Sequence, residues 1–273
     1  MPKHYITILR PSNCIMASLA VLVGFLIASQ GFIIGPLYFK LFLGMLSVFF
    51  FAGAGIVIND YYDYYIDKIN APHRPLPSGK IKRGHSLLYS YGLFLIAIFL
   101  SLHINAYCVL LALVNTLLEV YYARDFKRMP FIGNVVDSWF VGSSFLYGAL
   151  IIGPESLHAV PLLALLAFFS NIGREIFGDI EDIKGDKKLG LKTLPVVVGV
   201  KKAKHLASAF ILVAILLSPL PWLLGMLNIN YLVVVALADA VFIYSLFVDP
   251  KRNQRFTKIA MLLALVAFLV GVM

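Results

Sequence analysis

The stretch SVFFFAGAGIVINDYYDYYID, residues 47–67, passes from an apolar run straight into a row of acids. An apolar run that ends so abruptly reads as a membrane-spanning helix reaching its polar boundary. Beyond that boundary Asn59, Asp63 and Asp67 recur at i, i+4 and i+8. Each step of four advances about 40° around a helix, so the three share one face. Asp60 lies off it, and Tyr61, Tyr62, Tyr64 and Tyr65 fill the positions between. Like charges at i, i+4 weaken a bare helix, so a cation is expected to offset them.

The rest of the 273-residue chain is equally apolar. It is 60% hydrophobic and 14% charged, with a mean hydropathy of +0.88. A soluble domain cannot hide that much apolar surface. Runs of about 18 or more apolar residues mark transmembrane helices. Nine are expected, at roughly 15–35, 37–58, 86–104, 106–122, 132–152, 158–177, 206–224, 229–248 and 256–273. The expected fold is an all-α integral membrane bundle, one domain covering 1–273. The first run is too long for a signal peptide and lacks a small-residue cleavage site, so it reads as a retained helix.

Basic residues give the orientation. Of the 23 Lys and Arg, all but Lys40 fall on one side of these spans. The positive-inside rule makes that side cytoplasmic, with the amino terminus inside and the carboxyl terminus outside. The net charge of +9 is thereby accounted for by topology and the anionic headgroups of membrane lipids, not by nucleic acid. Cys14 and Cys108 form no CxxC pair and read as packed thiols.

Both long connections, 59–85 and 178–205, are on the basic side, and each begins with acids. The second cluster lies in NIGREIFGDIEDIKGDKK, residues 171–188, where Asp179, Asp182 and Asp186 at i, i+3 and i+7 again share one helical face. Carboxylates with Asn59 among them, and no thiols or paired imidazoles, are hard oxygen ligands that favour Mg²⁺ over zinc or copper. Mg²⁺ usually takes one or two carboxylates plus substrate phosphates. Arg74, Lys127, Arg128, Arg174, Lys187 and Lys192 stand near enough in the chain to balance a diphosphate, arginine through forked contacts and lysine as a point charge. Against this, a single acid cluster at a membrane boundary is commonly just solvated, and the tyrosines suit an interfacial belt, with one or two facing a pocket. Two matching clusters on one side, each beside basic loops, favour a site. Glu119 and Asp137 are expected to pair with Arg124, Lys127 or Arg128. Asp239, in the middle of the eighth span, is expected to be a hydrogen-bonded acid joining helices, or else an acceptor contact or proton carrier. The six histidines show no ligand spacing.

NDYYDYYID (59–67) resembles the NDxxDxxxD motif of the UbiA superfamily of intramembrane prenyltransferases, and DIEDIKGD (179–186) resembles its second, DxxxD-type motif. RPSN (10–13), RPLPSG (74–79) and YYARDFKRMPFIGN (121–134) are similar to three further elements, with Phe126 where leucine is common. The resemblance therefore covers nearly the whole chain. It implies nine transmembrane helices around a central cavity. It implies Mg²⁺ held by Asn59, Asp63, Asp67, Asp182 and Asp186, with Asp179 as accessory, and catalysis resting on Asp63, Asp67, Asp182 and Asp186. An isoprenyl diphosphate would be gripped by Arg74, Lys127 and Arg128, and on charge balance Arg174 is expected to join them.

REIFGDIEDIKGDKKLGLKTLPVVVG (174–199) most resembles the branch that builds archaeal ether lipids, moving a geranylgeranyl group onto the hydroxyl of geranylgeranylglyceryl phosphate. Such a lipid-like phosphorylated acceptor needs contacts of its own, and Arg10, Asn13, Lys187, Lys188 and Lys192 are expected to supply them. An aromatic- or quinone-precursor prenyltransferase is the alternative within the superfamily. A divalent-cation or phosphate transporter is the alternative outside it, disfavoured because the acids lie at helix ends and not at the bilayer midplane. The expected location is a cell membrane, multi-pass, with the site facing the cytoplasm.

Overall fold

The computed structural model describes residues 2–31 and 35–273, so residues 32–34, at the end of the first expected span, lie outside the described residues. Every described element is helical. α1 (Pro2–Ile8) leads into α2 (Pro11–Ala28) and α3 (Leu37–Tyr62), and a hinge at Asp63 leads into α4 (Tyr64–Asn70). Then come α5 (Arg83–Leu102), α6 (Ala106–Arg124), a 3-10 turn at Phe126–Arg128, α7 (Ile132–Leu150) and a second 3-10 turn at Pro154–Ala159. The long α8 (Pro161–Lys188) follows, and the chain finishes with α9 (Leu194–Val198), α10 (Val200–Leu217), α11 (Leu220–Leu223), α12 (Ile229–Ser245) and α13 (Pro250–Val272).

Local chemistry explains the starts. Proline opens α2, α8 and α13, in the first turn where its missing N–H removes no helical bond. Asn105 caps α6 by accepting the Cys108 N–H at 2.9 Å, and Asp249 caps α13 by accepting the Arg252 N–H at 3.1 Å.

Among the described residues, α2, α3, α5, α6, α7, α8, α10, α12 and α13 have 17 residues or more. Six stretches are long and apolar enough to cross a membrane: α2, α3, α5, α6, α10 with α11, and α13. The chain is therefore a multi-pass membrane protein. α12 is apolar but only 17 residues long. α7 and α8 have the length but are diluted by Asn134 and Asp137, and by Asn171, Arg174 and Glu175. Polar groups inside a membrane bundle turn inward, where other polar groups can satisfy them. The helices that read least like spans are the ones that furnish the interior.

Small residues set the tightest contact. A Cβ on Gly24 of α2 would meet the Phe145 carbonyl oxygen at 2.2 Å, and one on Gly148 of α7 would meet the Val21 carbonyl oxygen at 2.2 Å. Lipid gives helices no hydrophobic push toward each other, so backbone approach of this kind supplies the packing. α3 packs on α5, α12 on α13, and α8 against both α7 and α10. Cys14 and Cys108 are free and buried.

These packings leave a cavity of about 690 Å³, lined by residues of α2, α3, α4, α6, α7, α8, α10, α12 and α13. α5 backs α3 from outside and contributes nothing to the lining. Where α3 ends the cavity wall is acidic and basic; farther along the helices it is apolar, with Val48, Phe51, Phe145, Leu166 and Phe268.

Candidate active site

α3 stops at Asp63, yet its bonding continues across the hinge. The Asp63 N–H donates to the Asn59 carbonyl at 2.8 Å, and the Asp67 N–H to the Asp63 carbonyl at 2.8 Å. The shared face therefore survives, and Asn59, Asp63 and Asp67 all line the cavity. The expected cations are present. Lys127, on the 3-10 turn after α6, donates to the Asp63 carboxylate, and Arg74 donates to Asp67 Oδ1 at 2.6 Å. Burial acts against the Lys127 ammonium, but Asp63, Asp67 and Asp182 outweigh it and hold its pKa above the ordinary lysine value. Burial likewise opposes the charge on Arg74, which Asp67 and Asp60 raise.

The second cluster lies on a helix, because α8 runs on to Lys188 instead of ending near 177. Asp179 accepts from Asn134 Nδ2 at 2.8 Å, Asp182 from Asn70 Nδ2 at 3.0 Å, and Asp186 from Thr193 Oγ1 at 2.8 Å. Burial pushes the Asp186 carboxyl up to about 6, with the Thr193 hydroxyl pulling the other way. All three line the same cavity as the first cluster.

The donor set suits a hard cation only in part by itself. Among the described residues no three carboxylate, imidazole or thiol side chains converge to cage an ion. Asn59 Oδ1 and Asp67 Oδ2, however, are buried without any hydrogen-bond partner. Buried oxygens of that kind call for a ligand. A divalent ion that takes few protein oxygens and completes its shell from phosphates fits them.

Other expectations need correction. Asp60 is no bystander: it is 3% exposed, lines the cavity, and pairs with Arg10 at 2.5 Å, with Arg74 at 3.9 Å. Helical periodicity sorts the sides of one helix, but the turn before α2 lays Arg10 over the side that Asp60 occupies, 50 positions away. Glu119 and Asp137 do not pair with bases. Glu119 accepts from Asn59 Nδ2 at 2.8 Å and Asp137 from Asn171 Nδ2 at 2.9 Å, because both face inward while Arg124 turns out to Asp125. Lys187, Lys188 and Lys192 are exposed and outside the cavity lining. One and two positions beyond Asp186, the first two are carried about 100° and 200° around α8 from it. None of the four tyrosines between the acids lines the cavity. Tyr61, Tyr64 and Tyr65 instead surround the Arg83 guanidinium at 4.5, 5.5 and 5.5 Å. The aromatic residues that do line it include Phe51, Tyr122, Phe140, Phe145 and Phe268.

Arg10, Asn13, Arg74, Lys127, Arg128 and Arg174 all reach the cavity, as do Lys251, Gln254 and Lys258, which sequence reasoning passed over. The available signal was a Lys interrupting the apolar start of the last span. Asp239 accepts from Ser218 Oγ at 2.6 Å, joining α12 to the end of α10, and it also lines the cavity.

With this geometry in place, the resemblance to known proteins is direct. The UbiA prenyltransferase family model matches residues 17–270. The digeranylgeranylglyceryl phosphate synthase of Methanococcoides burtonii is 43% identical over 279 residues, covering 98% of this chain and 99% of that protein. A solved structure of digeranylgeranylglyceryl phosphate synthase in membranes is 38% identical, with a TM-score of 0.75 over 99% of this chain and 98% of that one. A UbiA homolog from Archaeoglobus fulgidus, bound to DMAPP and Mg²⁺, shares the fold at a TM-score of 0.71 and 21% identity over 98% of each chain.

Proposed function

This chain belongs to the UbiA prenyltransferase family, and from that premise we propose that it transfers a geranylgeranyl group from geranylgeranyl diphosphate to geranylgeranylglyceryl phosphate, making an archaeal ether-lipid precursor. The observation that carries this reading is a single cavity in which oxygen ligands, basic side chains and an apolar continuation occur together. The full-length similarity to digeranylgeranylglyceryl phosphate synthase favours this acceptor over an aromatic or quinone precursor. Membership of a prenyltransferase family sets the transporter class aside.

We read the metal as Mg²⁺, held by Asn59, Asp63 and Asp67 on one side and by Asp182 and Asp186, with Asp179, on the other. Bound there, it would neutralise charge gathering on the departing diphosphate. On this reading Lys127, Arg74 and Arg128, all in the cavity lining, grip that diphosphate. Lys127 and Arg74 already carry carboxylate partners, and their remaining N–H donors are available to phosphate oxygens. In the reaction the bond from the allylic carbon to the diphosphate breaks, and its electron pair leaves with the diphosphate. The acceptor hydroxyl oxygen then bonds that carbon and gives up its proton. On this reading aromatic faces of the lining, Tyr122 and Phe140 among them, soften positive charge on the allylic carbon, and the apolar wall excludes the water that would quench it.

On this reading the nine long helices are nine crossings, and the acidic end of the cavity opens to the cytoplasm, beside the amino terminus. The deciding experiment gives purified protein geranylgeranyl diphosphate with candidate acceptors and weighs the products. The expected result is the ether of geranylgeranylglyceryl phosphate, formed with release of inorganic diphosphate. Turnover with an aromatic acid alone would discard the acceptor and keep the family.

A further inference from the structure

A second set of cations gathers where α2, α8 and α13 meet. The Lys258 ammonium of α13 donates to Ser12 Oγ at 2.8 Å and to Asn13 Oδ1, 245 positions away. One turn earlier Gln254 donates its side-chain N–H to the Arg174 carbonyl of α8. The Asn13 N–H in turn bonds the Arg10 carbonyl at 2.8 Å. These bonds tie Arg10, Arg174 and Lys258 to one part of the cavity wall, and the positive charges of Arg174 and Arg10 both bear on the Lys258 ammonium.

Two features suit this corner to an anion. Arg10 has a carboxylate partner in Asp60 and Arg174 has one in Glu175, each at 2.5 Å, but among the described residues no carboxylate lies within the 4.0 Å of an ion pair from Lys258. A half-buried ammonium satisfied only by neutral oxygens is costly to keep unless an anion completes it. The 18-residue α2 also presents its N-terminus here with no side-chain cap, the positive end of its dipole.

We propose that Lys258 and Arg174, with the N-terminus of α2, bind the phosphomonoester of the glyceryl acceptor. This rests on the reading of a phosphorylated acceptor given above and assigns that phosphate a place. Two anionic headgroups repel one another in a shared complex, so each needs its own cations. Lys127 and Arg74 are bonded to Asp63 and Asp67 at the diphosphate end, whereas the Lys258 side chain is bonded to Ser12 and Asn13 of α2, and Gln254 of α13 bonds the Arg174 backbone carbonyl. Arg174 therefore moves from the diphosphate contacts, where the sequence suggested it, to the acceptor. Lys187, Lys188 and Lys192 leave the acceptor set, since they are exposed outside the cavity.

The test is steady-state kinetics on full-length protein in detergent with both substrates varied. Lys258→Gln removes the charge and keeps an N–H donor for Ser12 and Asn13, and Arg174→Gln is the independent second variant. Each is expected to raise KM for geranylgeranylglyceryl phosphate about 10- to 100-fold, the usual cost of one charge-assisted contact. KM for geranylgeranyl diphosphate should stay within about twofold, and Lys258→Arg should recover most of the loss. Glycerol 1-phosphate should compete with the acceptor in the parent protein and lose potency in Lys258→Gln. Equal rises in both KM values, or no rise in either, overturn the subsite. Failure of the acceptor reading itself is seen separately, in the parent protein, as equal use of the acceptor and its dephosphorylated alcohol.

Discussion

Asn70 reaches 112 positions along the chain to donate to the Asp182 carboxylate at 3.0 Å. A Cβ on Gly185 would meet the Asn70 amide nitrogen at 2.5 Å, so a glycine one turn along α8 is what admits it. The two acidic helices, α4 and α8, are joined by this contact at the cavity rim. If they hold one ion between them, Asn70→Ala should raise the Mg²⁺ concentration for half-maximal turnover several-fold while the protein stays monodisperse. A titration of activity against Mg²⁺ checks it, and an unchanged midpoint would separate the two helices functionally.

The carboxylates themselves should be far less forgiving. Asp63→Ala, Asp67→Ala, Asp182→Ala and Asp186→Ala should each lower kcat/KM by about 100-fold or more, the scale of losing a principal charge-stabilising group. Chelator should abolish turnover of the parent protein and Mg²⁺ restore it. Full activity of Asp63→Ala, or of the parent in excess EDTA, is incompatible with the proposed ligand set.

Asp60 should prove costlier than its place off the helical face suggests. Asp60→Asn leaves the Arg10 guanidinium without its carboxylate. Losing one partner of a charged hydrogen bond typically costs about 1–3 kcal/mol. Thermal unfolding should show the loss. The double variant with Arg10→Gln should recover part of it, because the two residues are coupled. Strict additivity would mean the pair contributes nothing.

Sidedness is testable without any substrate. Single cysteines introduced in the 68–83 and 184–204 loops should both react with an impermeant reagent applied from the cytoplasmic side, and from that side only. Labelling of the two loops from opposite sides would break the joint site.

The tight contact of α2 with α7 gives a prediction about folding alone. Gly148→Val places a side chain against the Val21 carbonyl, which is backbone and cannot move aside. Overpacking of this kind typically costs about 1–3 kcal/mol, occasionally more. The variant should lose folded yield by size-exclusion chromatography, whereas Gly92→Ala, at a helical glycine of α5 with open space beside it, should lose much less.

The sequence alone determined the all-helical, multi-pass character of the chain and the two acidic faces. Hydropathy and periodicity are local properties: a run of apolar residues or an i, i+4 spacing is complete within a few turns. Asn59, Asp63 and Asp67 keep one face even across the hinge at Asp63, because the backbone bonds that define the period continue through it. The tertiary structure decided which charges meet. Arg10 lies on Asp60, Asn59 on Glu119 and Lys258 on Asn13, at separations of 50, 60 and 245 positions. No local pattern encodes such pairs, since they depend on how the helices pack around the cavity. The same packing turned Lys187 and Lys188 outward and the tyrosines toward Arg83. It also brought Lys258, one basic residue in an otherwise apolar span, to the cavity wall.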